Sequence, residues 1–185
     1  MSELHENYEQ ACAHGMGDHV EILDQAQVKD FLETDLYHGA IYNKKNMQTI
    51  QHTFHIDTSF DKVFSALTTI DGLSGWWTKT TSGDAKERGT IFFKFGDYAT
   101  FEMSVEQIHE NVMVVWKSIS GNPDWEETHI GFKLSENDNK VMVQFTHGAF
   151  SDDYAAMGNI NFSWGRYLVS LRDYCEKGKG EPFPE

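Results

Sequence analysis

Two runs of alternating residues joined by a polar turn, followed by a run spaced at three and four, constrain this chain more than any other feature. The segments are WEETHIGFKLSENDNKVMVQFTHGAF, beginning at Trp125, and NINFSWGRYLVSLRDYCEKGKGEPFP, beginning at Asn159. In the first run Thr128, Ile130, Phe132 and Leu134 share one phase, against Glu127, His129 and Lys133 on the other. In the second, Val141, Val143, Phe145 and His147 oppose Lys140, Met142, Gln144 and Thr146. Side chains alternate across a strand, so each run predicts a strand with one dry and one wet face. Asn137, Asp138 and Asn139 supply turn chemistry between them, which makes the pair a hairpin.

After His147-Gly148 the period changes. Ile160, Trp164, Tyr167, Leu168, Leu171, Tyr174 and Cys175 form one stripe of an amphipathic helix over 159–176, with Arg166, Arg172 and Asp173 off the stripe. Gly178 and Pro182 mark its end. Burying Trp164, Leu168 and Leu171 contributes about 1.5–3 kcal/mol each, enough to dock such a helix on the dry face of the sheet.

Upstream, Ile50, His52, Phe54 and Ile56 alternate with Thr49, Gln51, Thr53 and His55. Ser59 is placed to cap a helix whose inward side is Val63, Phe64 and Leu67, and Asp71-Gly72 reads as its break before Gly75-Trp76-Trp77. Ser82-Gly83-Asp84 reads as a loop. Three further strands carry Ile91, Phe93 and Phe95, then Phe101, Met103 and Val105, then Val112, Val114 and Trp116. The order is strand, two helices, five or six strands, helix.

Residues 1–46 differ in character and form an acidic N-terminal extension to a domain over 47–185. The extension holds four of the nine histidines and shows no strand alternation. Within it Asp24 and Gln27 fit a capping box, Leu23 and Val28 a staple, and Val28, Phe31, Leu32 and Leu36 a short helical stripe ending at Gly39. That stripe predicts a packed helix over about 25–37, laid on its own domain or on a second copy in a homodimer.

The chain has 185 residues, the length of one domain with a short appendage. A net charge of −14 and a pI near 4.9 disfavour phosphate backbones and anionic membrane surfaces as partners. With two cysteines a disulfide framework is not expected, and no apolar run approaches a membrane span. The start MSELHENYEQ lacks a signal peptide's basic and apolar regions, so the expected compartment is the cytoplasm.

Four segments in this order resemble a known family. SWGRYLVSLRDYCEKGKGEPFP is similar to its closing helix, and SFDKVFSALTTIDGLSGWW to its opening helix pair. RGTIFFKFG resembles its Gly-led strand and VMVVWKS its Trp-centred strand. The family is that of the activator of Hsp90 ATPase homologue 1-like domains, within the START/Bet v 1-like (SRPBCC) superfamily. The resemblance spans about residues 47–184. It implies an α+β helix-grip fold: a curved antiparallel sheet of six to seven strands wrapped around a long C-terminal helix. It also implies a deep apolar pocket between sheet and helix for a hydrophobic small molecule or lipid.

Such a pocket would be lined by Trp77, Phe93, Phe101, Met103, Trp116, Ile130, Phe145, Trp164 and Leu168, of which every strand residue shares the apolar phase of its strand. Their aromatic content fits a cavity wall and a plain core equally well. His52 and His147 share the inward phase, and because first and last strands are neighbours in the resembling fold, their rings would come near one another as polar contacts. The bland alternative is that each sits at a strand end bonded to backbone. No phosphate-cradling loop, Gly-flanked nucleophile or His-Glu-x-x-His pattern occurs, so no catalytic residue, metal or cofactor is assigned. Cys12, His14, Asp18 and His19 are ligand types without a converging set. Two rivals to ligand binding stand: a cochaperone-like interaction module and an enzyme of the cyclase/aromatase type, for which only His52 and His147 speak. An Hsp90-type chaperone partner is disfavoured, since 46 residues cannot supply the chaperone-binding domain that precedes the related domain in the cochaperone.

Overall fold

A computed structural model describes residues 47–151 and 155–185. The elements run β1 (Met47–Ile56), α1 (Phe60–Thr68), α2 (Ile70–Trp76), β2 (Thr80–Gly83), β3 (Thr90–Phe95), β4 (Ala99–His109), β5 (Met113–Ser120), β6 (His129–Asn137), β7 (Lys140–Ser151) and α3 (Met157–Lys177). The seven strands form one antiparallel sheet in the order β1-β7-β6-β5-β4-β3-β2. Chain-adjacent β1 and β2 thus lie at opposite edges, and α1 and α2 carry the chain between them. This is the α+β helix-grip architecture that the resemblance implies.

The hairpin forms where the alternation places it. Asp138 and Asn139 take φ of 53° and 59°, a two-residue turn that matches the strand twist and favours Asn and Asp. Phe132 opposes Phe145 and Leu134 opposes Val143, so the apolar phases meet on one face. The strand does not stop at Gly148. β7 continues to Ser151 through Ala149, which sits at φ 75°, and its pairing with β1 shifts register between Gln48 and Ile50. A bulge, which bends a strand and adds twist, explains why a glycine there ends the period but not the strand.

The opening helices break earlier than Asp71-Gly72, which lies inside α2. Thr69 is extended (φ −127°, ψ 147°) and its side chain accepts from the Gly72 amide, capping α2. Gly72 is there for contact: a Cβ would meet the Ser65 carbonyl oxygen at 2.5 Å. Ser59 holds the N-cap position of α1 without a side-chain capping bond. Segment 80–83 is a short edge strand rather than a loop, pairing Thr81 with Phe93.

α3 lies on the concave face and buries Trp164, Tyr167, Leu168, Ser170, Leu171 and Cys175. Gly178 ends it in the left-handed conformation (φ 71°), its N–H returning to the Tyr174 carbonyl. Beyond, the tail folds back beside α2. The Ser170 hydroxyl donates to the Trp76 carbonyl at 2.8 Å and accepts from the Glu181 amide at 2.7 Å, and Phe183 pairs with Trp77 and Lys79 through backbone bonds. The readings made for Cys12, His14, Asp18, His19 and the helix over 25–37 fall outside the described residues. Among those described, no helix is long and apolar enough to cross a membrane.

Candidate functional site

The inward phases of the strands converge on α3 and fill the grip with rings. Trp77 lies 4.2 Å from Phe93, 5.0 Å from Trp164 and 6.0 Å from Trp116, centroid to centroid. Phe145 packs on Phe132 at 5.2 Å and on Trp164 at 4.5 Å. Phe93, Met103, Trp116, Ile130 and Phe145 are essentially without solvent exposure. Where the resemblance implies a deep pocket, these side chains form a packed floor.

Open space remains above that floor, at the mouth of the grip. A recess of about 250 Å³ lies between the first turns of α3, the β3–β4 turn, the 121–128 loop and the C-terminal tail. α3 contributes Ile160, Ser163, Trp164 and Tyr167; the β3–β4 hairpin contributes Phe95, Tyr98 and Phe101. Trp77 enters from the end of α2, Trp125 from the loop and Phe183 from the tail. Trp125 stacks on Phe101 at 4.5 Å, and Phe183 meets Phe95 edge-on at 5.4 Å. Among the described residues, no carboxylate, guanidinium or ammonium lines it, in a chain of net charge −14. Its polar groups are hydroxyls and indole N–H groups, and burial raises the Tyr167 phenol above its ordinary range, against the pull of Arg166.

Of the residues the apolar phases select, Trp77, Phe101 and Trp164 reach this recess. His52 and Leu168 lie on the other flank of α3, in a smaller cleft of about 120 Å³ beside Arg172. The two histidines do not meet. Ile50 is the partner of His147, whereas His52 opposes Phe145 and its Nε2 lies 2.9 Å from the Asn161 Oδ1. His147 is fully buried, receiving the Trp164 indole N–H on Nδ1 at 2.9 Å and bonding the Thr128 hydroxyl through Nε2 at 2.9 Å. Among the described residues, neither ring is held by backbone. Burial first, and His129 second, hold the His147 imidazole well below its usual range.

The sequence does not mark Phe95, Tyr98, Trp125, Ile160, Ser163, Tyr167 and Phe183 as lining residues. Ile160 and Tyr167 already belong to the helical stripe and Phe95 to the inward phase of its strand. Trp125 and Phe183 sit in a loop and a tail, where periodicity carries no signal.

On the outer face of the sheet, Lys117 contacts Glu127 at 2.6 Å and His129 contacts Glu106 at 3.3 Å. Among the described residues, no group of three or more His, Cys, Asp or Glu side chains converges as a metal site would.

The curved sheet, the helix it grips and the ring-walled mouth define a domain of the SRPBCC/Bet v 1-like class. Residues 57–176 match the family described as Activator of Hsp90 ATPase homolog 1-like protein, and the chain belongs to that family. The Aha1 dimer from Colwellia psychrerythraea, solved in solution, is 36% identical with a TM-score of 0.67, the match covering 72% of this chain and 99% of that one. A protein from Staphylococcus saprophyticus shares the fold at 20% identity and TM-score 0.61, over 72% of this chain and 96% of its own. A conserved protein of unknown function from Enterococcus faecalis does so at 15% and 0.59, over 84% of each chain. No curated protein matches the chain.

Proposed function

We propose that this domain binds a small, neutral molecule carrying one or two rings in the mouth recess. The observation that carries the reading is a space of about 250 Å³ walled by aromatic side chains, with no charged group among the described residues that line it. Apolar concavities with a few hydroxyl and N–H groups are the usual form of a small-molecule site. An apolar cavity of about 150 Å³ takes up one benzene, so this recess is sized for little more than a bicyclic compound. A long acyl chain or a four-ring skeleton would need the room that Phe93, Trp116 and Phe145 occupy. The fold alone supports neither this nor an enzymatic reading, because one fold hosts many chemistries.

Titration with 2-naphthol, read through tryptophan emission, tests it. Binding with quenching is expected, and Ser163→Trp, which places an indole at an exposed position on the recess wall, should abolish binding while leaving the fold intact. Absence of binding at tens of micromolar, or binding unchanged in Ser163→Trp, would remove the proposal.

A second reading has its own observation. The Colwellia relative is a dimer, and Phe162 and Val169 stand 80% and 48% exposed on α3. An interaction module would use that face, and sedimentation of Phe162→Asp against the parent chain distinguishes the two. Loss of a dimer supports the second reading; a monomer in both removes it.

A further inference from the structure

Two of the indoles that line the recess, Trp125 and Trp164, lie 6.4 Å apart and nearly parallel at 20°. They belong to elements far apart in the chain, a loop and the long helix, and one buried side chain touches both. The His147 ring stands edge-on to Trp125 at 4.5 Å and to Trp164 at 5.7 Å.

The hydrogen bonds around it admit one arrangement of protons. Thr128 Oγ1 lies 2.6 Å from the Trp125 carbonyl, which can only accept, so the single hydroxyl proton of Thr128 points there. Thr128 Oγ1 is then left to accept from His147 Nε2 at 2.9 Å, and Nε2 must carry a hydrogen. Nδ1 is therefore the bare nitrogen, and it receives the indole N–H of Trp164 at 2.9 Å. The chain of bonds runs from α3 through the imidazole to the 121–128 loop with every donor matched to one acceptor. A second proton on the ring would set Nδ1–H against the indole N–H and break it at the Trp164 end.

We infer that His147, as the neutral Nε2–H tautomer, is the positioning residue of the mouth recess, holding the Trp164 and Trp125 walls in one fixed arrangement. The inference rests on the reading of the recess as the ligand site. Among the described residues, what faces the ring is otherwise uncharged: Trp164 from α3, Trp125 and Thr128 from the loop, Ile50 from β1 and Phe150 from its own strand. Among the described residues, His129 on the neighbouring β6 is the one titratable group acting on it, and that action opposes a charge on His147.

Nitrogen-15 NMR of the labelled protein at pH 7 is the test. Nε2 of His147 should be protonated and Nδ1 bare, with the Trp164 indole N–H strongly downfield and slow to exchange. In His147→Phe, which keeps a ring but no hydrogen bond, the Trp164 and Trp125 indole signals should move and 2-naphthol affinity should fall about tenfold. His147→Gln can still accept from Trp164 and donate to Thr128, and its affinity should stay within about threefold of the parent. An Nδ1–H tautomer or an imidazolium at pH 7 would overturn the inference. So would a His147→Phe variant with unchanged affinity and unchanged indole signals. Should 2-naphthol not bind the parent chain, the ligand reading fails alone, while the tautomer and the indole shifts still decide the positioning role. Should His147→Phe not fold, the parent tautomer and the His147→Gln indole signals decide it.

Discussion

Replacing Trp164 by alanine removes the ring on which both core and recess depend, and the structure sets the size of the effect. Trp164 is 2% exposed and packs on Trp77 and Phe145 at 5.0 and 4.5 Å. Truncating a buried Trp to Ala costs about 3–5 kcal/mol in lost transfer energy and residual cavity. The same change strips Nδ1 of His147 of its donor, and a buried acceptor left unpaired adds about 1–3 kcal/mol. The new void opens onto the mouth recess, so water can reach Nδ1 and part of the second term is recovered. The expected loss is about 4–6 kcal/mol. Trp164→Phe, which keeps most of the ring, should lose about 1.5–3 kcal/mol, chiefly the hydrogen bond and the smaller volume. Urea unfolding followed by far-ultraviolet circular dichroism measures both variants without relying on Trp emission. A loss below about 1 kcal/mol for Trp164→Ala would mean that α3 is not docked by this side chain.

Three other outcomes follow from particular residues. His147 and His129 are both held below their ordinary pKa, in each case chiefly by burial. Above about pH 6.5 they are neutral folded or unfolded; below it the unfolded chain takes up protons that the folded one refuses, so stability should fall by up to about 1.4 kcal/mol per pH unit for His147. Urea midpoints from pH 7.5 to 5.5 should show that slope and His147→Gln should lessen it; identical slopes would contradict the assignment. The Cys175 thiol, 5% exposed, is pushed up to about 12 by burial with help from Glu176. Iodoacetamide at pH 8 should therefore leave Cys175 unmodified in the folded protein and alkylate it after denaturation, and ready modification of native Cys175 would show that α3 opens. At Gly180 a Cβ would meet the Gly75 carbonyl oxygen at 2.6 Å and the Ser170 hydroxyl oxygen at 2.8 Å. Gly180→Ala should displace the tail that carries Phe183 and weaken 2-naphthol binding, with little change in the urea midpoint; unaltered affinity would show that the tail is not a working wall.

Most of the fold could be read from residues whose chemistry has a period. The 129–151 hairpin and the stripe from Ile160 to Cys175 alternate or recur because one face is buried, and that signal survives in sequence. Signals with two physical causes were harder. Gly72 reads as a helix breaker, yet it is a contact glycine inside α2, and the real break at Thr69 is set by a side-chain cap. Segment 80–83 pairs at the sheet edge with no apolar alternation to betray it. For the recess, phase selects inward residues without saying which of them leave space. Phe93, Trp116 and Phe145 face inward as expected and fill the room, while Trp125 and Phe183, outside any periodic element, close the mouth. Packing volume decides that distinction, and volume is a property of the assembled interior.

The five tryptophans divide by place, so their signals separate a ligand at the mouth of the grip from one in its interior. Trp77, Trp125 and Trp164 line the recess, whereas the Trp76 N–H is bound to the Ala66 carbonyl at 2.9 Å and Trp116 lies in the packed floor. Titrating 2-naphthol into labelled protein and following the indole N–H signals should shift Trp125 and Trp164 most and Trp77 with them, leaving Trp76 and Trp116 nearly still. No shift at all, or the largest shift at Trp76 or Trp116, would contradict a ligand site at the mouth of the grip.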